Sequence, residues 1–208
     1  MRTIGTRGEG WIEEAWRHLK AGGVLALPTE TVYGLAACLD GPAGADQIFE
    51  LKGRPQEKLL PLQMDSLARA RAWGFPFSPG AERLGRAFWP GPLTLVLPRP
   101  PTCPPWFAPG AATLAVRVPD HPVALRLLAL AGAPLAVTSA NLSGEPPCLD
   151  AEAVARAFPG APLLVLDGGR APGGLPSTVV AATGEEPVVL REGPIGSARI
   201  REVWRGWP

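Results

Sequence analysis

Apolar residues recur along this chain in two spacings, and the switches between them divide it into elements. Trp11, Ile12, Ala15, Trp16 and Leu19 return at helical spacing and stop at Gly22-Gly23, so residues 9–21 read as an amphipathic helix with a glycine cap. The short run 23–27 (Gly-Val-Leu-Ala-Leu) reads as a buried strand, and it halts at Pro28, which cannot donate to a sheet ladder. Residues 43–52 predict a helix stopped by Gly53 and Pro55. A short strand is expected in 59–64, and helices over 65–72 and 79–88. Strands are expected at 93–97, 113–118, 135–138, 163–166, 177–181 and 187–191, and helices at 121–131, 150–158 and 197–204. Residues 98–110 hold six prolines and no periodicity, so they read as a stiff surface loop. Helices and strands alternate without a break in composition or an internal repeat. The expected fold is a single α/β domain over residues 1–208, core about 10–204, built on a mixed sheet.

Composition narrows this picture. The chain has 208 residues, 46% hydrophobic and 19% charged, which supports a sizeable core and argues against disorder. Net charge is +1, too little for a protein that coats nucleic acid generally. Three cysteines without a pairing pattern fit a reduced compartment, and two histidines leave little for a histidine-based metal site or triad. No apolar leader opens the sequence and no run is long enough to span a membrane, so a cytoplasmic protein is expected. Only three of the 20 basic residues are lysines, and two of those, Lys52 and Lys58, fall close together.

The familiar phosphate loop, dinucleotide fingerprint and nucleophile elbow are all missing. Polar clusters instead stand at the mouths of apolar elements. Pro28-Thr29-Glu30-Thr31-Val32-Tyr33-Gly34-Leu35 packs hydroxyls and a carboxylate onto a loop at a strand end, where ligands of open α/β sheets bind. On its own an ordinary polar turn before a helix is the plainer reading. Lys52 and Arg54 flank Gly53, so both could reach one anion; cations favourable at a helix C-terminus are the plainer reading. Arg117 interrupts an apolar strand, with Ala115 and Pro119 on its face. It needs a carboxylate or an anionic ligand, unless it faces a solvated side of the sheet. Thr138-Ser139-Ala140-Asn141-Leu142-Ser143-Gly144 offers hydroxyls, an amide and a candidate anion nest, or else an Asx turn. Ser177-Thr178 follows a glycine-rich loop, and Arg191 ends the last strand. Cations and hydroxyls at strand and helix ends, almost without carboxylate or histidine, suit a ligand with several anionic groups.

Taken in order, these segments resemble the YrdC/Sua5 family, the threonylcarbamoyl-AMP synthases of tRNA t6A formation. The matching stretches are Pro28–Leu35, Lys52-Gly53-Arg54-Pro55, Trp89-Pro90-Gly91-Pro92-Leu93-Thr94, Val116–Pro119 with His121-Pro122, Ser139–Gly144, Ser177-Thr178 and Leu190–Gly193. The resemblance implies a twisted mixed sheet with flanking helices around a large electropositive concave cavity, in the short form carrying the catalytic domain alone. It implies a nucleotidyltransferase that converts L-threonine, bicarbonate and Mg²⁺-ATP to threonylcarbamoyl-AMP and pyrophosphate. Lys52, Arg54, Ser139 and Asn141 would be the signature polar residues around the phosphates, with Lys52 and Arg54 catalytic. Arg54, Lys58, Thr113, Ser139, Asn141 and Arg191 would contact ATP or the adenylate. Thr31, Arg117 and Ser177 would hold threonine, and no residue would ligate a metal directly. A tRNA or double-stranded RNA is an implied partner, as is the threonylcarbamoyl transferase complex that takes the product. The sequence departs from the family pattern at Lys58, where Asn is usual, and at Gln63, where His is usual. The alternative reading is a non-catalytic YciO-like paralogue that binds nucleotide or RNA.

Overall fold

The computed structural model describes residues 1–55 and 57–206; the last two residues of the expected domain, Trp207 and Pro208, lie outside them. Among the described residues the strands are β1 (Arg2–Gly5), β2 (Val24–Leu27), β3 (Gly34–Cys38), β4 (Leu62–Gln63), β5 (Leu93–Pro98), β6 (Thr113–Arg117), β7 (Leu135–Ser139), β8 (Leu163–Asp167), β9 (Thr178–Ala181) and β10 (Val188–Arg191). The helices are α1 (Trp11–Lys20), α2 (Ala43–Lys52), α3 (Leu67–Ala72), α4 (Pro79–Phe88), α5 (Pro122–Ala131), α6 (Ala151–Ala157) and α7 (Ser197–Arg205). All the strands join one sheet in the order β1-β8-β2-β3-β7-β4-β6-β5-β9-β10. Its ladders are mixed: β8 is parallel to β1 and β2, β6 to β4 and β9 to β5, and the remaining pairs are antiparallel. The expected mixed α/β sheet is present.

Local chemistry sets the element ends. Gly53 takes a left-handed conformation (φ 56°) beyond α2, which turns the chain sharply and puts Arg54 outside the helix. Ser78, His121 and Asp150 cap α4, α5 and α6 by accepting from Ala81, Val123 and Ala153 N–H groups.

The two faces of the sheet are covered differently. On one face a continuous core takes in Ala26, Leu35, Leu62, Leu95, Val116 and Val180, with Ile48 of α2, Val154 of α6, Leu84 of α4 and Ile200 of α7. On the other face Leu25, Leu27, Ala36, Val137 and Leu164 pack with Trp11, Ala15 and Leu19 of α1 and with Ala124, Leu127 and Leu128 of α5. That second layer stops at β7. Strands under both layers are buried throughout, as in β2 and β3, whereas β6 and β9 alternate buried and half-buried positions. Beyond β7 the face that α1 and α5 would cover is bare, and it forms the floor of a cavity.

Three sequence readings change. Gly34–Cys38 is a fully buried strand between β2 and β7, whereas the sequence showed only the end of a polar loop there. Its small residues let the strand lie close to its neighbours: a Cβ on Gly34 would sit 2.8 Å from Val137 Cγ1. Arg2–Gly5 adds an unforeseen edge strand, parallel to β8. The strand expected in 59–64 shrinks to Leu62–Gln63.

Candidate functional site

The cavity holds about 760 Å³ of empty space, its open mouth included, and is lined from β3, β4, β5, β6, β7, β9 and β10 with the loops before β3, β4 and β9. Its polar lining includes Thr29, Thr31, Arg54, Gln63, Thr94, Arg117, Thr138, Ser139, Ser177 and Arg191. No carboxylate is among the lining residues.

The loop after β2 is a hydroxyl hub. Thr29 Oγ1 donates to the Val32 carbonyl at 2.6 Å and accepts from the Thr31 and Val32 N–H groups. Its single proton is thus committed, so the 2.8 Å contact between the two threonine hydroxyls is made by the Thr31 proton. Tyr33 donates its hydroxyl to the Gly169 carbonyl, and Gly173 and Gly174 N–H groups donate to Glu30 and Thr31 carbonyls, so the 168–174 loop is strapped onto this one. A Cβ on Gly173 would lie 2.6 Å from the Glu30 carbonyl oxygen, which explains a glycine there. Burial pushes the Tyr33 phenol up to about 12, so it stays a neutral donor.

Arg117 lies under this hub, 6% exposed. Its Nε donates to the Gly91 carbonyl at 3.1 Å, and Nη2 donates to Glu30 Oε1 at 2.6 Å and Thr31 Oγ1 at 3.1 Å. Nη1 has no protein partner among the described residues and is left for the cavity. Burial lowers the Arg117 pKa and the Glu30 charge opposes this; a guanidinium remains charged throughout the useful pH range. The solvated-face reading is therefore excluded, and the required carboxylate is Glu30. Arg191 clasps the Ser177 carbonyl with Nε and Nη2, and Nη2 also reaches Ser177 Oγ at 3.2 Å. Ser177 Oγ in turn lies 2.7 Å from Thr94 Oγ1. Burial and the charge of Arg117 both lower the Arg191 pKa, as expected of two cations sharing one space.

The other end is built by α2 and the loop after β7. Lys52 is 2% exposed, and its three ammonium protons meet three oxygens: Ser139 O at 2.5 Å, Asn141 O at 2.7 Å and Asn141 Oδ1 at 3.1 Å. Ser139 Oγ also donates to Asn141 Oδ1, while Asn141 Nδ2 binds the Leu142 and Glu145 carbonyls. Burial, and then the Arg54 charge, pulls the Lys52 pKa down to about 8. Arg54 lines the cavity with Nε and Nη2 tied to the Lys58 and Leu59 carbonyls.

Of the sequence-predicted residues, Thr31, Arg54, Arg117, Ser139, Ser177 and Arg191 converge on the cavity. Lys52 and Asn141 stand behind it and brace the Ser139 loop, so Lys52 does not swing with Arg54 to one anion. Lys58 is exposed and takes part here through its carbonyl. Thr113 lies on the same face of β6 as Ala115 and Arg117 but short of the lining. In the candidate anion nest at 138–144, two N–H groups are committed internally: Ala140 N–H goes to Tyr33 O and Ser143 N–H to Lys52 O. Thr94 and Glu30 escaped assignment. Thr94 had a signal, a lone polar residue at period two in an apolar strand. Glu30 had none beyond its place in the loop, since its partner is 87 positions away.

A family model of the Sua5, YciO and YrdC proteins, described as telomere recombination, matches residues 17–193. The chain is 40% identical to a threonylcarbamoyl-AMP synthase of Pyrococcus abyssi over 95% of its own length, and spans 58% of that relative's. It superposes on P. abyssi Sua5 complexed with L-threonine with a TM-score of 0.88, at 40% identity, covering 97% of this chain and 60% of that one. E. coli YciO gives 0.85 at 26% identity, covering 96% of this chain and 98% of that one.

Proposed function

The chain belongs to the Sua5, YciO and YrdC family, and from that premise we propose that it makes threonylcarbamoyl-AMP and pyrophosphate from L-threonine, bicarbonate and ATP. The observation that carries this reading is a cavity with two chemically different ends. One end has a paired cation, Arg117 with Glu30, beside the hydroxyls of Thr31 and Ser177, which suits a small zwitterion. The other has Arg54 with no carboxylate partner among the described residues, and the braced Ser139 loop, which suits phosphates. Arg191 holds Ser177 near Arg117, and we assign Thr113, on the same face of β6 but short of the lining, to the nucleoside.

The threonine amine and bicarbonate form a carbamate, with loss of water. A carbamate oxygen then attacks the α-phosphorus and pyrophosphate leaves. Arg117 Nη1 holds the threonine carboxylate, and the spare lone pair of Thr31 Oγ1 accepts from its polar groups. Arg54 and Arg191 offset the charge that collects on the phosphates, Lys58 holds Arg54 through its carbonyl, and Lys52 with Asn141 keeps Ser139 in place. The chain contributes positioning and electrostatic stabilisation, with no general base required.

Mg²⁺ has no protein ligand set here. The described residues hold no cluster of three or more acidic, histidine or cysteine side chains fit for a metal, so the ion would enter on the phosphates of ATP. We place the reaction in the cytoplasm, with tRNA carrying the final product and a threonylcarbamoyl transferase complex as the next enzyme; among the described residues no helix is long and apolar enough to cross a membrane. The higher identity to P. abyssi Sua5 than to E. coli YciO, 40% against 26%, supports synthesis over the paralogue reading. Pyrophosphate release with each substrate omitted in turn tests the proposal. Release that needs all three supports it; salt-dependent RNA binding without threonine-dependent release supports the paralogue.

A further inference from the structure

Glu30 enters none of the steps above and does not itself line the cavity, yet it is the carboxylate held against Arg117, which does. Oε1 takes the Arg117 Nη2 proton at 2.6 Å, with side-chain exposures of 7% for Arg117 and 16% for Glu30. Oε2 is buried and has no hydrogen-bond partner among the described residues. A buried carboxylate oxygen left without a donor is costly, and a pair half-satisfied in this way needs a reason. The backbone holds it there: the Glu30 carbonyl is pinned by Gly173 N–H, and Thr31 beside it is fixed by Thr29 and Arg117.

Two consequences follow from this geometry. Arg117 spends Nε and Nη2 on Gly91, Glu30 and Thr31, so only Nη1 is free for a ligand. The guanidinium is therefore fixed in one orientation. Glu30 also offsets the charge of Arg117 itself, −1 against +1, and leaves Arg191 as the second cation close enough to feel Arg117. A ligand carrying both a carboxylate and an ammonium suits such a pair, whereas a bare carboxylate gains Arg117 but is repelled by Glu30. The Arg54 end lacks this cancellation.

Resting on the reading that this end takes an amino acid, we propose that Glu30 is a specificity-determining positioning residue, which orients Arg117 and makes the pocket select a zwitterion over a plain carboxylate. It acts through Arg117 and through its charge on the ligand's ammonium.

The test is calorimetric binding of L-threonine and of 3-hydroxybutyrate, the same skeleton without the amine, to wild type, Glu30→Gln and Glu30→Asp, with ATP binding as a check that the cavity is intact. Wild type should prefer threonine by on the order of tenfold or more. Glu30→Gln keeps an acceptor for Arg117 but removes the charge, so its preference should shrink about tenfold, through weaker threonine and tighter 3-hydroxybutyrate binding. Glu30→Asp should restore much of the preference. A purely structural role would weaken both ligands together and leave the ratio unchanged, which overturns the proposal. Equal binding of the two ligands by wild type overturns it without any variant, should Glu30→Gln fail to fold. Absence of threonine binding to wild type would instead overturn the functional reading on which it rests.

Discussion

The two halves of the sheet are built from the same kinds of strand but are covered differently. In sheet order, the strands from β8 to β7 lie between two helical layers, with α1 and α5 on one face and α2 and α6 on the other. From β4 to β9 in the same order only one face is covered, by α4 and α7, and the other presents Gln63, Ala115, Arg117, Thr94 and Val179 to the cavity. The covered half spends its side chains on packing, and the bare half spends them on charge and hydrogen bonds. Losses in the first should appear as stability and losses in the second as activity. Lys52 sits at the seam, buried like a core residue but bonded to the site loop.

Truncating the closed layer gives the largest effect. Leu127→Ala, fully buried between α5 and the sheet, should cost about 2–5 kcal/mol in a denaturant titration while leaving turnover near normal. In the bare half, Arg54→Ala should lower pyrophosphate release by about a hundredfold with little change in melting temperature. Near-normal turnover in that variant would remove Arg54 from the chemistry. Lys52→Ala should blur the division: it strands three oxygens, costing about 1–3 kcal/mol, and also cuts turnover by roughly a hundredfold because the Ser139 loop slackens. Loss of stability without loss of turnover would make Lys52 a core residue only.

The same lysine sets a pH dependence. Its folded value is near 8, below the ordinary lysine value of 10.5. Above about pH 8 it loses a proton that the loop uses, so turnover should fall on an alkaline limb there. The unfolded chain binds more protons between about pH 8 and 10.5, so the Lys52 contribution to stability rises with pH across that window. A turnover profile flat to pH 10 would contradict the ammonium's role. The smallest effect expected is for Ser177→Ala, which removes one hydroxyl shared with Thr94 and Arg191: about 1 kcal/mol, seen as a several-fold rise in the threonine KM.

The halves also differed in how much their sequence disclosed. α2 and β2 were legible because a glycine or proline ends each pattern cleanly. β3 was missed because Gly34-Leu35-Ala36-Ala37-Cys38 is small and non-periodic, and only its two neighbouring strands make it a strand. Arg117 stood out as a charge in an apolar strand, but whether its partner was protein or ligand depended on Glu30, brought near by the fold. Lys52 fits a helix C-terminus in sequence better than Arg54, which Pro55 sets outside the helix; the left-handed turn at Gly53 sends the first inward to the Ser139 loop and the second to the cavity. The ligands suggested by resemblance rest on ordered motifs, which local periodicity would not have supplied.

The central claim is that the bare half holds two independent ends. Calorimetric titration of L-threonine and of ATP, each alone, into Arg117→Ala and Arg54→Ala tests it most directly. The account predicts a double dissociation: Arg117→Ala loses threonine and keeps ATP, and Arg54→Ala loses ATP and keeps threonine. If each variant lost both ligands equally while remaining folded, the cavity would be a single undivided site and the account would be wrong.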